Sequence, residues 1–102
     1  MAKVEIGEAQ VSVGVAEYVD DNGIDRQRVA DMLVRHENGD WGELSEEQKR
    51  ANDIAAATGK SFMSNYKLDD KYILILTETE NDEPETLILT LEEFIEDYVE
   101  EE

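Results

Sequence analysis

The last quarter of the chain carries an uncompensated run of negative charge, and this run constrains the fold more than any other feature. Residues 78–102 hold twelve of the 27 Asp and Glu residues and none of the nine Lys and Arg residues. They therefore supply 12 of the 18 net negative charges at pH 7. Like charges at this density repel one another, so a folded chain must keep them at a surface that faces solvent or a basic partner.

Composition predicts one folded domain, residues 1–102. Hydrophobic residues make up 40% of the chain, and their regular spacing distinguishes it from disordered acidic sequences. The absence of cysteine excludes disulfides and thiolate metal sites. No stretch approaches the roughly 20 apolar residues of a membrane span. The N-terminus, MAKVEIGEAQ, lacks the apolar segment of a signal peptide, so we expect a cytoplasmic protein.

The net charge also predicts the kind of partner. Binding to nucleic acid or to an anionic membrane needs a Lys or Arg for each phosphate contact, and this chain has few of them. We therefore expect no direct contact with nucleic acid and none with a membrane. A basic protein surface is the partner that the charge favours.

Apolar spacing predicts three helices in the first part of the chain, at about residues 13–19, 25–36 and 46–58. Ser45 and Gln48 form a capping box at the start of the third helix. The positions predicted to be buried in the second and third helices are Val29, Met32, Leu33, His36, Ala51, Ile54 and Ala55.

The pattern changes to strands after Gly59. Phe62, Ser64, Tyr66 and Leu68 alternate along a first strand, 72–76 (YILIL) are continuously apolar and form a second, and 86–89 form a third strand. A second capping box, Thr90 to Glu93, opens an amphipathic helix that is expected to reach residue 102. Residues 1–11 are compatible with a short strand or an arm. The predicted fold class is α+β, with N-terminal helices, a three-stranded antiparallel meander and a C-terminal amphipathic helix.

A distinctive motif lies between the second and third helices. Residues 36–52 read HENGDWGELSEEQKRAN, with His36, then Gly39-Asp40-Trp41-Gly42, then Asn52. Two glycines within four residues indicate a fixed loop. The stretch GKSFMSNY follows at 59–66, and an apolar strand ends in Thr-Glu at 77–78.

With this motif, residues 24–95 resemble a family of small proteins carried by plasmids, phages and integrated elements. The resemblance implies the core fold and a mobile-element setting, and the family has no established activity. Its members usually end soon after the third strand, whereas this chain adds the acidic helix 91–102. The resemblance therefore leaves the acidic end unexplained.

His36 and Asp40 allow a catalytic and a structural interpretation. A His–Asp pair can orient an imidazole for general-base work, with Asn52 as a further polar group. Alternatively, His36 caps the end of its helix, Asp40 fixes the loop through hydrogen bonds and Trp41 fills the core. The structural interpretation is favoured because none of the serines lies in a strained nucleophile turn. We therefore assign no catalytic residue, and treat His36, Gly39, Asp40, Trp41, Gly42 and Asn52 as a structural signature.

Two acidic loops are candidates for cation sites. Residues 20–25 superficially resemble a calcium loop, but aligning Gly23 with the glycine of an EF-hand puts Tyr18 and Val29 at positions that require oxygen ligands. The turn at 78–85 has no glycine and mixed spacing, so it predicts only weak, adventitious binding. The sequence predicts no metal site and no cofactor.

The C-terminal helix presents the strongest functional signal. Its predicted outer face carries five carboxylates over about 13 Å of helix axis, or about one per 2.7 Å. One strand of B-DNA carries a phosphate every ~3.4 Å. No Lys relieves the repulsion, although Glu–Lys pairs commonly stabilise helices. The predicted partner-binding residues are Glu78, Glu80, Asp82, Glu83, Glu85, Glu92, Glu93, Glu96, Asp97 and Glu100.

The leading hypothesis is a non-enzymatic interaction protein of a mobile element. Its acidic face would occupy a basic nucleic-acid-binding groove on a restriction or CRISPR effector by mimicking DNA. The first alternative is a small enzyme or ligand-binding domain that uses His36, Asp40 and Asn52. The second is an accessory or assembly domain that forms a homodimer through the open face of its sheet.

Overall fold

The computed structural model describes residues 4–79 and 83–98. Its elements confirm the α+β class, and in chain order they are β1 (Glu8–Val11), α1 (Val13–Asp21), α2 (Arg26–Glu37), α3 (Glu46–Ala57), β2 (Phe62–Leu68), β3 (Lys71–Glu78), β4 (Glu85–Thr90) and α4 (Leu91–Tyr98).

The sheet has four strands, in the order β1-β4-β3-β2. The antiparallel pairs β2–β3 and β3–β4 form as predicted. The prediction of only three strands, all antiparallel, was wrong because β1 adds to β4 in parallel. A parallel pair joins segments that are far apart in sequence, so no turn residues indicate it. Strand β1 is also only four residues long and mostly exposed, so no apolar run indicates the strand.

Helices α1 and α2 cover one face of the sheet. Val15 and Val19 of α1 and Val29 and Met32 of α2 are buried there. They share a core with alternate residues of the strands, namely Tyr66, Leu68, Ile73, Ile75 and Ile88. Burial of these apolar side chains is the main stabilising contribution to this half of the molecule.

Helix α4 packs against the other face, on β3 and β4. Leu74 and Leu89 alternate to this face and are buried. The cover is partial, since Ile95 and Tyr98 are each more than two-fifths exposed. Val99 and the rest of the predicted helix, including Glu100, lie outside the described residues.

Helix α3 lies beside the sheet, next to β2. The prediction that Ala51 and Ile54 are buried was wrong, because Ile54 is 65% exposed and Ala51 is also exposed. A helix at an edge buries a narrower strip, which here contains Ala55 and Ala56, packed against a small cluster that includes Trp41 and Phe62. The capping box that starts this helix is present, with Ser45 and Gln48 in the predicted roles.

Candidate functional site

His36 is buried rather than positioned as a charged helix cap. It is 0% exposed, and its two ring nitrogens lie 2.5 Å from the Ser64 hydroxyl and 2.8 Å from the Thr77 hydroxyl. Burial lowers its pKa from 6.5 to about 4, so the ring is neutral at pH 7. The predicted burial of His36 is confirmed. The interpretation that it caps the end of its helix was wrong, because the strands β2 and β3 supply polar partners that local sequence does not reveal.

The hydrogen-bond chain beyond His36 fixes its tautomer. The Ile6 carbonyl can only accept, so the Thr86 hydroxyl donates to it at 2.7 Å. Thr86 then accepts from Thr77 at 2.7 Å, and Thr77 accepts from Nε2–H of His36. Nδ1 is left to accept from Ser64. These hydrogen bonds connect α2, the strands β2, β3 and β4, and the backbone of Ile6 in one buried polar network.

Asp40 does not pair with His36, so the His–Asp arrangement of the catalytic interpretation is absent between these two residues. Its carboxylate accepts from Arg35 Nε at 2.7 Å and from the Gly42 N–H at 3.3 Å. The hydrogen bond from Arg35 lowers the pKa of Asp40. The Asp40 carbonyl accepts from the Tyr66 hydroxyl. Asp40 therefore fixes the loop, as the structural interpretation expected.

The loop between α2 and α3, residues 38–45, covers the outer edge of β2, and we call it the motif loop. The Asn65 N–H donates to the Trp41 carbonyl, and the Glu43 N–H donates to the Asn65 carbonyl. The Asn52 side chain donates to the Met63 carbonyl at 2.6 Å. An unpaired strand edge can pair with other protein chains. The motif loop and Asn52 prevent this at the β2 edge of the sheet.

Trp41 and Gly42 allow the motif loop to lie close against β2. The Trp41 indole packs on His36 and Phe62, and its N–H donates to Asp53. Gly42 has a φ of +75°, and a Cβ there would lie 2.1 Å from the Asn65 carbonyl oxygen. Gly39, with a φ of +78°, turns the chain after α2.

The predicted acidic residues separate into exposed and internal groups. Glu78, Glu83, Glu85, Glu96 and Asp97 are exposed. Glu92 is also exposed and forms an ion pair with Lys71 at 3.4 Å. Glu80, Asp82 and Glu100 lie outside the described residues. Of the carboxylates predicted for the outer face of α4, Glu92, Glu96 and Asp97 are exposed, and they extend over about 9 Å of helix axis.

Glu93 faces inward, and its assignment to the outer face was wrong. Its carboxylate accepts from the Ser12 hydroxyl at 2.6 Å and from the N–H groups of Gly14 and Thr90. Burial disfavours ionisation, but these hydrogen bonds more than offset it, so the pKa of Glu93 is lowered. Glu93 thereby completes the capping box of α4 and ties α4 to the start of α1.

Three carboxylates align across the sheet at the end where β3 leads into β4. Glu78 stands opposite Glu85 in the antiparallel pair, and Glu8 is in register with Glu85 in the parallel pair. All three belong to the face that α4 packs on, and all are exposed. Neighbouring strands lie about 4.8 Å apart. We call Glu8, Glu85 and Glu78 the acidic row.

Tyr98 connects the acidic row to α4. Its pKa is raised by burial and by the nearby charges of Glu78 and Asp97. Because α4 packs on β3 and β4, its exposed carboxylates Glu96 and Asp97 lie on the same face of the sheet as the acidic row. Sequence reasoning missed Glu8, because the long-range pairing of β1 with β4 brings it there. The alternation in Glu-Ala-Gln-Val at 8–11 was the available signal.

Among the described residues, Lys71 places a cation on this surface through its ion pair with Glu92. The four ion pairs formed between described residues are Arg26–Asp20, Arg28–Asp69, Arg35–Asp40 and Lys71–Glu92. None involves the acidic row, Glu96 or Asp97. Within residues 4–79 and 83–98, no group of three or more His, Asp or Glu side chains is arranged to hold a metal ion, and no helix is long and apolar enough to cross a membrane.

No protein-family model, curated protein or solved structure matches this chain.

Proposed function

We propose that the protein is a non-enzymatic interaction module whose acidic surface occupies a basic nucleic-acid-binding groove of another protein. The acidic row is the observation that carries the proposal, because it holds three exposed carboxylates in register on adjacent strands. In keeping with the mobile-element resemblance, the proposed targets are restriction and CRISPR effectors. The carboxylates would take the place of DNA phosphates and compete with DNA.

The cost of the acidic row supports this proposal. Like charges directly opposite one another in a sheet destabilise it, and Glu85 faces such a neighbour on both sides. A fold shaped for stability alone would place Lys or Thr at one of these three positions. Retention of all three is expected when the charge serves binding.

Rigidity is the second support. The row is built on paired strands, and α4 is anchored by the hydrogen bonds of Glu93 to Ser12 and Gly14. Fixed charges bind a partner with a smaller entropic cost than charges on a disordered tail. Neighbouring carboxylates of the acidic row stand on strands about 4.8 Å apart, compared with ~3.4 Å between successive phosphates of one DNA strand. On α4, Glu92 is paired with Lys71, whereas Glu96 and Asp97 form no ion pair with a described residue.

Replacing Glu85 with glutamine is expected to weaken effector binding and to stabilise the fold. The variant keeps the side-chain shape and removes repulsion from Glu8 and Glu78, which should raise the free energy of unfolding by about 0.5 kcal/mol. Competition for labelled DNA on a purified effector measures the binding. Chemical denaturation measures the stability.

The matched control is Glu47→Gln. Glu47 is an exposed acid on α3, beside the opposite edge of the sheet, and its substitution changes the net charge by the same amount. The proposal predicts weaker competition only for Glu85→Gln. Equal effects of the two substitutions would mean that net charge alone, and not the acidic row, governs binding.

Assembly through the sheet remains the second candidate function. Tyr72, Ile95 and Tyr98 are large apolar side chains between 38% and 44% exposed, and all three belong to β3 or α4. Two copies that met through these residues would cover them. Repulsion between chains of net charge −18 opposes this contact. A sedimentation measurement at high salt, which screens the repulsion, would find a dimer if this candidate is right and a monomer if it is wrong.

A further inference from the structure

Strand β1 leaves one edge of the sheet open. The Ser12 N–H donates to the Ile88 carbonyl of β4, and backbone groups alternate in direction along a strand, so those of Glu8 and Gln10 also point to β4. The N–H and C=O groups of Ala9 and Val11 then point away from the sheet. They form no hydrogen bond with another described residue, whereas the β2 edge is covered by the motif loop.

An apolar groove lies beside this open edge. It has a volume of about 430 Å³ and is bounded by β1, β4, α1 and α2. Ala9 and Val11 form its floor at the edge, together with Ile88. Ala16 and Ala30 line its helical walls and are exposed, which leaves the groove open to solvent. Its charged lining residues are Asp20 and Arg26, which pair with each other at 3.3 Å.

The two faces of β1 differ in chemistry. Ala9 and Val11 face the groove, whereas Glu8 and Gln10 lie on the opposite face, which carries the acidic row. A strand added beside β1 would alternate its side chains between these faces. Side chains on the groove face would bury apolar surface. Those on the other face would lie about 4.8 Å from the position of Glu8, where a cation is favoured.

We infer that β1 is a docking edge for an extended segment of a partner protein in which basic and apolar residues alternate. The segment adds as a fifth strand, with backbone hydrogen bonds to Ala9 and Val11, apolar side chains in the groove and Lys or Arg beside the acidic row. Strand addition of this kind takes affinity from the backbone and specificity from alternate side chains. The inference rests on the proposed function in that both require a basic partner.

A blocked synthetic peptide of about six residues, alternating arginine and valine, tests the inference. We expect it to bind, to shift the amide signals of Ala9 and Val11 in NMR spectra, and to protect these amides from exchange. A peptide of the same composition with three arginines followed by three valines cannot match both faces and should bind at least about tenfold more weakly. Equal binding of the two peptides would overturn the inference.

Val11→Pro is the decisive variant, with Val13→Pro as its matched control. The Val11 N–H points outward, so proline removes a hydrogen bond to the peptide without removing one to β4. Val13 is the first residue of α1 and 72% exposed, a position that accepts proline. Peptide binding should fall about tenfold in Val11→Pro and stay unchanged in Val13→Pro. Equal affinities would contradict strand addition.

A second variant guards against a folding defect in Val11→Pro. Ala30→Trp narrows the groove from α2 without changing β1, and it should also weaken peptide binding. If Glu85→Gln weakens effector binding while Val11→Pro and Ala30→Trp do not, the acidic-surface proposal stands and this inference fails. A dimer that Val11→Pro converts to a monomer would assign the edge to a second copy and would also overturn it.

Discussion

His36→Ala is expected to lower the free energy of unfolding at pH 7 by about 4 kcal/mol, the cost of removing a large buried ring. The ring packs on Trp41 and Phe62 and holds the hydroxyls of Ser64 and Thr77. Its removal leaves a cavity and takes one hydrogen-bond partner from each of the two buried hydroxyls, although Thr77 still donates to Thr86, and each lost hydrogen bond adds to the cost. Denaturant titration of the two proteins at pH 7 measures the difference.

Acidification provides an independent test of the same residue. The pKa of His36 is about 4 in the folded protein, against an ordinary value of 6.5. Between these values the unfolded chain binds more protons, so stability must fall as the pH falls. The difference between the two pKa values corresponds to about 3 kcal/mol of unfolding free energy. Above pH 6.5 the contribution of the neutral ring is complete, and below pH 4 it is lost.

The control for acidification is His36→Gln. A glutamine amide has a donating NH2 group and an accepting carbonyl oxygen, so it can donate to Thr77 and accept from Ser64 without titrating. Protonation of the carboxylates affects both proteins alike and cancels in the difference between them. The stability difference should therefore favour the wild type less as the pH falls from 6.5 to 4. A pH-independent difference would contradict the buried neutral imidazole.

Gly42→Ala is the second substitution with a large expected effect, a loss of about 4 kcal/mol or more in unfolding free energy. Its Cβ would lie 2.1 Å from the Asn65 carbonyl oxygen and less than 3 Å from the Tyr66 ring. The loop would have to leave the β2 edge, which would break the hydrogen bonds of Trp41 and Glu43 to Asn65. Thermal or chemical denaturation measures the loss.

Gly59→Ala separates this clash from backbone strain. Gly59 has a φ of +73°, close to the +75° of Gly42, but nothing lies within 4 Å of the position that a Cβ would occupy there. It should cost only the roughly 1–2 kcal/mol of a left-handed alanine. If the two substitutions cost the same, close packing of the motif loop on β2 is not what requires glycine at position 42.

Local signals in the sequence predicted the parts of the fold that depend on neighbouring residues. Ser45 with Gln48 and Thr90 with Glu93 marked two helix starts, and alternation marked β2. The capping box also contained the information needed to place Glu93 correctly. A carboxylate that closes a capping box turns back towards the N-cap, so it could not also belong to the outer face.

Features that depend on distant residues were not predictable in this way. The partners of His36 come from β2 and β3, and Glu8 reaches the acidic row only because β1 pairs with β4. The alternation at 8–11 indicates a strand but not its partner strand, and no local pattern indicates the partners of His36. The position of the motif loop at the edge of β2 was likewise not predictable, because it required knowing that α3 lies next to β2.

Binding of the purified protein to restriction and CRISPR effectors at rising ionic strength tests the central claim most directly. If carboxylates replace phosphates, the protein will displace DNA from an effector at low salt, and its affinity will fall steeply as salt increases. Glu85→Gln will make the salt dependence less steep. Binding that does not change with salt, or no displacement of DNA at low salt, would contradict the proposal that the acidic surface mimics a nucleic-acid backbone.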